Sequence, residues 1–332
     1  MTRRLRLLLL LAVLAATAIA IARSDPAAIG RALAAMSWRW ALVSALINLI
    51  GVVLDATRLR IIVSAVGRVT IWNALQAQLV GIVGNVLFPF KLGEGARAYV
   101  LTRRHRLPTA TAVTMVVLDR VMDALVLPLL VVMASLVLPL PASVLRFRGW
   151  MLLALSCAVV LGVVIGRRLS ARHTAAAAGS APGAVVGTID RIITGVTVLR
   201  HRRRIAATIA ASLASWIARA AIVWCMLRAF GLVLPVSASV SVLVIVNLGI
   251  AVVATPGNVG TFELATAAAL ALWSVPADTA LSIGIATHVV EVVPPVLIGL
   301  VVGSWWLPPV STNRDVLAGN EPFQAPPMQS RR

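Results

Sequence analysis

The sequence predicts an all-α fold, a polytopic membrane helix bundle. Three features predict it: 60% of the 332 residues are hydrophobic, 12% are charged, and the mean hydropathy is +0.97. A soluble domain has roughly 45–50% apolar and about 25% charged residues, so neither share suits a surface in water. The chain is therefore predicted to consist mainly of apolar helices, with no soluble catalytic domain.

Apolar runs of about 20 residues, the length that crosses a bilayer as a helix, recur along the chain. Full spans are predicted at 7–22, 38–56, 110–138, 150–166, 205–230 and 280–303. Two further apolar stretches, 71–90 and 237–275, contain Pro and Gly residues that interrupt a helix. Residues 1–307 are thus predicted to form one transmembrane domain with a cytoplasmic linker at 167–204. Residues 308–332 are predicted to be a disordered cytoplasmic tail.

The net charge is +19, but the distribution of the basic residues argues against nucleic acid as a partner. The basic residues lie between apolar runs and form no aromatic-rich soluble face. Short basic segments beside spans follow the positive-inside rule. Placing both termini in the cytoplasm puts most of the 30 Lys and Arg residues on that side. The prediction is a multi-pass protein of a bacterial plasma (inner) membrane.

The stretch 71–90 cannot cross fully in this arrangement, because the segments beside it, 58–70 and 91–106, are both basic. It is predicted to be a re-entrant hairpin that enters from the cytoplasm and returns. The stretch 237–275 is predicted to enter and return at the opposite face. Irregular backbone at membrane depth is tolerated only where protein or a wet cavity surrounds it. Two such hairpins therefore predict a cavity.

The two interrupted stretches share a pattern. Each has a Pro followed four residues later by a Gly, Pro89 and Gly93 in the first and Pro256 and Gly260 in the second, and then a Glu. Paired breaks are typical of inverted-repeat transporters, whose substrate site lies between the repeats. Chance is the alternative, since Pro and Gly are common in membrane helices.

The first candidate site is the run from Asn85 to Arg97. Pro89 ends the incoming helix, and a new helix is predicted to start near Glu94 with free backbone amides that attract anions. Lys91 and Arg97 add positive charge, and Arg97 is suited to hold a phosphate through two parallel hydrogen bonds. One interpretation is a lipid-phosphate site, and the other is a loop whose bases only fix topology.

The second candidate site is Asp119, Arg120 and Asp123, deep within a predicted span. Each charge at the bilayer centre costs roughly 2.5–3.5 kcal/mol on insertion scales, so these groups are expected to be paired and to face the bundle interior. Arg120 and Asp123 lie three residues apart, on neighbouring positions of a helix. The remaining acid is expected to pair with Arg97 or Arg219. A substrate site and a structural ion-pair cluster both remain open.

The remaining candidates are Asn258 and Glu263 at the second break, Arg219 in mid-span, and His288 with Glu291 in the last span. Glu263 is expected to pair with Arg219 or to lie near His288. A carboxylate and an imidazole at membrane depth can relay protons, and a packing histidine is the alternative. No HExxH spacing is present, so no metal or other cofactor is expected.

Three motifs in order resemble the transmembrane region of lysylphosphatidylglycerol synthases and the related flippase-like integral membrane proteins. They are the Asn-x3-Pro-x-basic-x-Gly-Glu-x2-Arg run at 85–97, the acid-Arg-x2-Asp run at 119–123 and the Pro-Gly-x2-Gly-x2-Glu run at 256–263. The resemblance extends over 5–305. The chain departs from the family pattern at Asp119, where Glu is usual. It departs also at Lys91, where Arg is common. Lysine keeps the positive charge but cannot bind a phosphate through two parallel hydrogen bonds as arginine does.

The resemblance implies lipid handling without the soluble aminoacyl-transferase domain of the synthases. The expected function is translocation of an anionic phospholipid, glycolipid or polyprenyl-phosphate-linked lipid, without enzymatic activity. The chain has no Gly-x4-Gly-Lys-[Ser/Thr] run for ATP. One alternative is an intramembrane enzyme that modifies a lipid headgroup. The other is a scaffold that binds a protein partner through the basic linker or the tail.

Overall fold

The computed structural model describes residues 26–64, 66–88, 91–105, 107–137, 202–253 and 255–304, together with Ala142, Leu145, Gly149 and Leu152. Within the continuous ranges the fold is all-α, with nine helices and no strand. The helices are α1 (Pro26–Ala34), α2 (Trp38–Val63), α3 (Ile71–Leu87), α4 (Gly93–His105), α5 (Thr109–Val137), α6 (Arg202–Ala229), α7 (Val236–Val252), α8 (Thr261–Ala271) and α9 (Ala277–Ser304). One 3-10 turn, Pro256–Asn258, lies between α7 and α8.

Among the described residues, three helices are long and apolar enough to cross a membrane: α2, α6 and α9. They confirm helices at the spans predicted at 38–56, 205–230 and 280–303, although α2 continues further, to Val63. Helix α5 coincides with the span predicted at 110–138. Helix α1 was not predicted, because its nine residues are too few to appear as a span.

Several predictions concern residues outside those that the structure describes. These are the span at 7–22, the span at 150–166 apart from Leu152, the linker as far as residue 201, and the tail at 308–332. Residues 202–204, predicted as the end of the linker, form the first turn of α6 instead.

Large apolar side chains line the outer face of α2. Leu42, Leu46 and Ile50 follow one another at four-residue spacing, and each is more than half exposed. Helix α9 presents a similar face with Val289 and Leu297. Contiguous exposed apolar faces are costly in water and are typical of a surface that contacts another apolar phase. These faces suit contact with lipid.

The first interrupted stretch forms an antiparallel helical hairpin, hairpin 1, made of α3 and α4. Gly84 packs so closely on Gly93 that a Cβ at Gly84 would lie 2.8 Å from the Cα of Gly93. The prediction that 71–90 contains both limbs of the hairpin is wrong, because α3 is continuous to Leu87 and α4 is the returning limb. The sequence of α4 is polar, which is why it was predicted as a cytoplasmic segment. Its charged groups near the tip are paired inside the protein instead.

The second interrupted stretch forms hairpin 2, made of α7, the 3-10 turn and α8. Helix α7 ends at Val252 and α8 begins at Thr261, so the break predicted at 255–260 is confirmed. Gly257 and Gly260 have φ angles of 59° and 83°. Glycine adopts this left-handed backbone without the steric cost that a side chain brings.

The tips of the two hairpins meet inside the bundle. The backbone of Gly257, in hairpin 2, faces Val86 near the end of α3. Helix α9 packs against both hairpins through glycines, with Gly284 on the backbone of Glu263 and Gly299 on α3. Helices α2 and α6 pack along each other.

Two adjacent prolines lie inside α9 without ending it. Pro294 and Pro295 lack the N–H groups that would bond the carbonyls four residues earlier, at Val290 and Glu291. The Asn48 amide of α2 donates to both carbonyls, at 3.0 and 2.9 Å. Helix α2 therefore supplies the hydrogen bonds that the sequence of α9 removes.

Candidate functional site

The tip of hairpin 1 gathers polar side chains. Lys91 lies in the turn between α3 and α4 with a φ of 56°. Glu94 is in the first turn of α4, where a helix start was predicted, and accepts a hydrogen bond from the Asn85 amide at 3.2 Å. Pro89, the predicted helix breaker, lies outside the described residues. The turn thus places Lys91 two residues before the start of α4, and the first acid of that helix, Glu94, already has a hydrogen-bond partner.

A continuous network of ion pairs lies behind this tip and joins α2, α4, α5 and α6. It contains four arginines and four acids: Arg58, Arg97, Arg120, Arg219, Asp55, Glu94, Asp119 and Asp123. The formal charge of the network is therefore zero. Pairing of this kind is what makes charges tolerable at membrane depth.

Asp119 lies at the centre of the network and is fully buried. Arg58 Nε donates to its Oδ1 at 2.6 Å, and Arg97 Nη2 donates to its Oδ2 at 2.8 Å. Arg58 also pairs with Asp123 through its terminal nitrogens. Arg58 and Arg97 are each only 1% exposed. These two guanidinium groups are fixed parts of the interior and are closed to a ligand.

The ends of the network are more accessible than its centre. Arg120 donates to Asp123 at 3.0 Å and pairs with Glu94 at 2.8 Å. At the other end Arg219 Nη2 donates to Asp55 Oδ2 at 2.7 Å. The side chains of Arg120 and Arg219 are 40% and 36% exposed. A ligand can therefore reach the network at these two arginines.

At the tip of hairpin 2, Glu263 forms the second polar group. It is the third residue of α8, and its Oε2 accepts the backbone N–H of Gly260 at 2.7 Å, as in a capping box. Its Oε1 lies 2.6 Å from His288 Nδ1. The other ring nitrogen, Nε2, lies 2.9 Å from the carbonyl oxygen of Gly257. His288 of α9 thus contacts both sides of the break in hairpin 2.

A cavity of about 220 Å³ lies where the two tips meet α6, α7 and α9. Its polar lining comes from both hairpins and from two of the longest helices: Lys91, Arg219, Asn247, Asn258, His288 and Glu291. Its apolar lining includes Val242, Val246 and Phe262. The predicted cavity between the two broken stretches is present, and it contains both cationic and anionic groups.

Comparison with known protein families identifies the family of the chain. The family described as the lysylphosphatidylglycerol synthase TM region matches residues 5–299. The chain belongs to this family. No match is found among curated proteins. As a member of the lysylphosphatidylglycerol synthase transmembrane-region family, it is an integral membrane protein with a lipid-related function.

The structure places the predicted site residues of this family member in two connected groups. Lys91, Arg219, Asn258, His288 and Glu291 line the cavity. The ion network and its immediate partners contain Asn85, Glu94, Arg97, Asp119, Arg120, Asp123 and Arg219. Glu263 reaches the cavity through His288. Arg219 belongs to both groups and joins them.

The geometry decides between the partners predicted for two of the acids. Glu263 pairs with His288, whereas Arg219, the alternative partner, pairs with Asp55. Asp119 pairs with Arg97, which was one of its two predicted partners. Among the described residues, no cluster of three or more His, Cys, Asp or Glu residues has the arrangement of a metal site.

Sequence reasoning missed two members of the network, Asp55 and Arg58. The predicted span ended at residue 56, which left Arg58 among the cytoplasmic bases that fix topology. That assignment is wrong, because Arg58 is buried and pairs with Asp119 and Asp123. The signal that could have revealed it is the i,i+3 spacing of Asp55 and Arg58 within an apolar run.

Proposed function

We propose that this protein moves an anionic lipid between the leaflets of the cell membrane through the cavity between the hairpin tips. In this proposal the hairpins are re-entrant and enter from opposite faces, and both termini are cytoplasmic. The observation that carries the proposal is that both tips meet one accessible end of the buried ion network, Arg219, at one cavity. The step breaks no covalent bond, so the protein acts as a carrier rather than as an enzyme.

The cavity size supports binding of a headgroup rather than of a whole lipid. Sites that bury a drug-sized molecule have volumes of roughly 300–1,000 Å³, and this cavity is smaller, at about 220 Å³. A phosphate with a small substituent suits such a space. The acyl chains would remain in the bilayer beside the apolar outer faces of the helices.

Lys91 and Arg219 are the proposed phosphate contacts. Lys91 contributes a compact positive charge from an exposed turn. Arg219 has one terminal nitrogen on Asp55, and its Nε has no hydrogen-bond partner in the structure. Arg97 was predicted to grip the phosphate, but its terminal nitrogens hold Glu94 and Asp119. Its proposed role is therefore to hold hairpin 1 in place.

The test is a translocation assay with purified protein in liposomes. Fluorescent phosphatidylglycerol on the inner leaflet becomes accessible to a membrane-impermeant quencher only after it has moved outward. We expect wild-type protein to accelerate this movement and Lys91→Gln to slow it about tenfold, the effect of losing one charged hydrogen bond. Lys91→Arg should retain most of the activity because it keeps the charge.

Arg60→Gln is the matched control. Arg60 is an exposed base on α2 outside the cavity lining, so its loss should leave the rate unchanged. Fluorescent phosphatidylcholine, which has no net charge, should move more slowly than phosphatidylglycerol. The proposal is lost if no anionic lipid moves faster with protein than without it, or if Lys91→Gln and Arg60→Gln behave alike.

A further inference from the structure

The two ring nitrogens of His288 both face oxygen atoms that accept hydrogen bonds. Nδ1 lies 2.6 Å from Glu263 Oε1, and Nε2 lies 2.9 Å from the carbonyl oxygen of Gly257. A neutral imidazole has one N–H and can satisfy only one such acceptor. Both contacts become hydrogen bonds only when the Glu263–His288 pair holds one additional proton, whether that proton resides on the ring or on the carboxyl group.

This pair joins α9 to both sides of the break in hairpin 2. The Gly257 carbonyl belongs to the 3-10 turn, and the second oxygen of Glu263 binds the N–H of Gly260 at the start of α8. Phe262 stacks on the imidazole ring with centroids 4.6 Å apart, which fixes the plane of the ring. The additional proton therefore decides how many hydrogen bonds hold the tip of hairpin 2 to α9.

Charged side chains from three elements that line the cavity lie around the Glu263–His288 pair. Glu291 lies three residues further along α9, Arg219 comes from α6, and Lys91 comes from the tip of hairpin 1. Helix α2 contributes the uncharged Asn48, whose amide donates to the backbone carbonyl of Glu291. The negative charge of Glu291 favours the additional proton, and the positive charges of Arg219 and Lys91 oppose it. Loss of the proton changes the charge of the pair from zero to −1.

We propose that the Glu263–His288 pair is a proton-binding site whose occupancy holds hairpin 2 closed on α9 and whose deprotonation releases it. The proton leaves to the aqueous phase on the side where the cavity opens. Release of the tip loosens the contact between Gly257 and Val86 and so opens the cavity beside hairpin 1. The coupling of this opening to lipid movement rests on the proposed function, whereas the proton-dependent contact does not.

Hydrogen exchange measured by mass spectrometry tests the contact directly. The protein is placed in lipid nanodiscs at several values between about pH 5 and about pH 9, which includes the range in which histidine usually changes charge. Exchange at the tip, residues 255–263, is divided by exchange at the turn between α6 and α7, residues 230–235, so that the intrinsic pH dependence of exchange cancels. For wild-type protein we expect this ratio to rise with pH.

His288→Gln and Glu263→Ala are expected to give a raised ratio at low pH, by roughly ten- to hundredfold, because a charged hydrogen bond is missing. Their ratio should be nearly the same at all pH values. Val289→Ala, an exposed neighbour on α9, is the matched control and should follow wild type. A wild-type ratio that is flat with pH overturns the proposal, and so does a variant that retains the wild-type pH dependence.

Translocation assays at the same pH values separate this inference from the proposed function. If the exchange ratio responds to pH but no lipid moves at any pH, the proton site stands and lipid translocation is refuted. If lipid moves while the exchange ratio is flat, lipid translocation stands and the proton site is refuted. When both hold, His288→Gln should flatten the pH dependence of the translocation rate.

Discussion

Arg219 Nη2 donates to Asp55 Oδ2 at 2.7 Å, and the Arg219 side chain also lines the cavity between the hairpin tips. This contact joins the buried ion network to the cavity. An anion that binds Arg219 would share this guanidinium group with Asp55. Asp55 also lies 3.6 Å from Arg58, so a chain of contacts joins the cavity to the ion pairs that hold hairpin 1.

Arg58→Met should destabilise the protein strongly, because it leaves Asp119 and Asp123 each with one arginine partner instead of two. Loss of one partner from a buried ion pair costs about 3–5 kcal/mol. Arg60→Met, two residues further along the same helix and exposed, should change the free energy of unfolding by less than about 0.5 kcal/mol. Denaturant unfolding in detergent, followed by tryptophan fluorescence, measures both. Similar losses for the two variants would show that the Arg58 pairs are not structural.

Gly84→Ala should destabilise hairpin 1. The new Cβ would lie 2.8 Å from the Cα of Gly93, and backbone cannot move aside as the end of a flexible side chain can. Overpacking of this kind costs about 1–3 kcal/mol. Gly95→Ala is the matched control, since a Cβ there meets nothing within 4 Å. It should be neutral or stabilise α4 by about 0.5–1 kcal/mol. Equal thermal stability of the two variants would contradict the close approach of α3 and α4.

Much of the helical core could be predicted from the sequence, because apolar length alone identifies a span. The starts and ends of α5, α6 and α9 lie within a few residues of the predicted bounds. The break at Gly257 and Gly260 was also predictable, since glycine and proline mark it locally. These features depend on short sequence windows.

The partners of the charged groups could not be predicted in the same way. Arg58 and Asp119 are 61 residues apart and belong to different helices, so no local pattern joins them. The same limit explains α4, whose polar sequence was predicted as a cytoplasmic segment. Because residues of α5 form ion pairs with Glu94 and Arg97, α4 can pack inside the bundle. Charge pairing of this kind depends on the tertiary fold.

Glu291→Gln should tighten binding of an anionic headgroup. The Glu291 carboxylate lines the cavity beside Arg219 and His288, where it opposes an incoming anion. At a partly exposed site, one such charge contributes on the order of 1–4 kcal/mol, so we expect at least about fivefold tighter binding. Titration with a short-chain fluorescent phosphatidylglycerol measures the affinity. Asp278→Asn, in the first turn of α9 and outside the cavity lining, should leave it unchanged. Weaker binding by Glu291→Gln would place the anion elsewhere.

Asn48→Leu should destabilise the contact between α2 and α9, because it leaves the carbonyls of Val290 and Glu291 without a donor. An orphaned buried acceptor costs about 1–3 kcal/mol. The Pro294→Ala/Pro295→Ala background restores the two missing N–H groups, and each can bond the carbonyl four residues earlier. In that background Asn48→Leu should cost less than about 1 kcal/mol, by the same unfolding measurement. An equal cost in both backgrounds would mean that Asn48 acts through packing alone. A smaller cost would show that the sequence of α9 tolerates two central prolines because one amide of α2 replaces their hydrogen bonds.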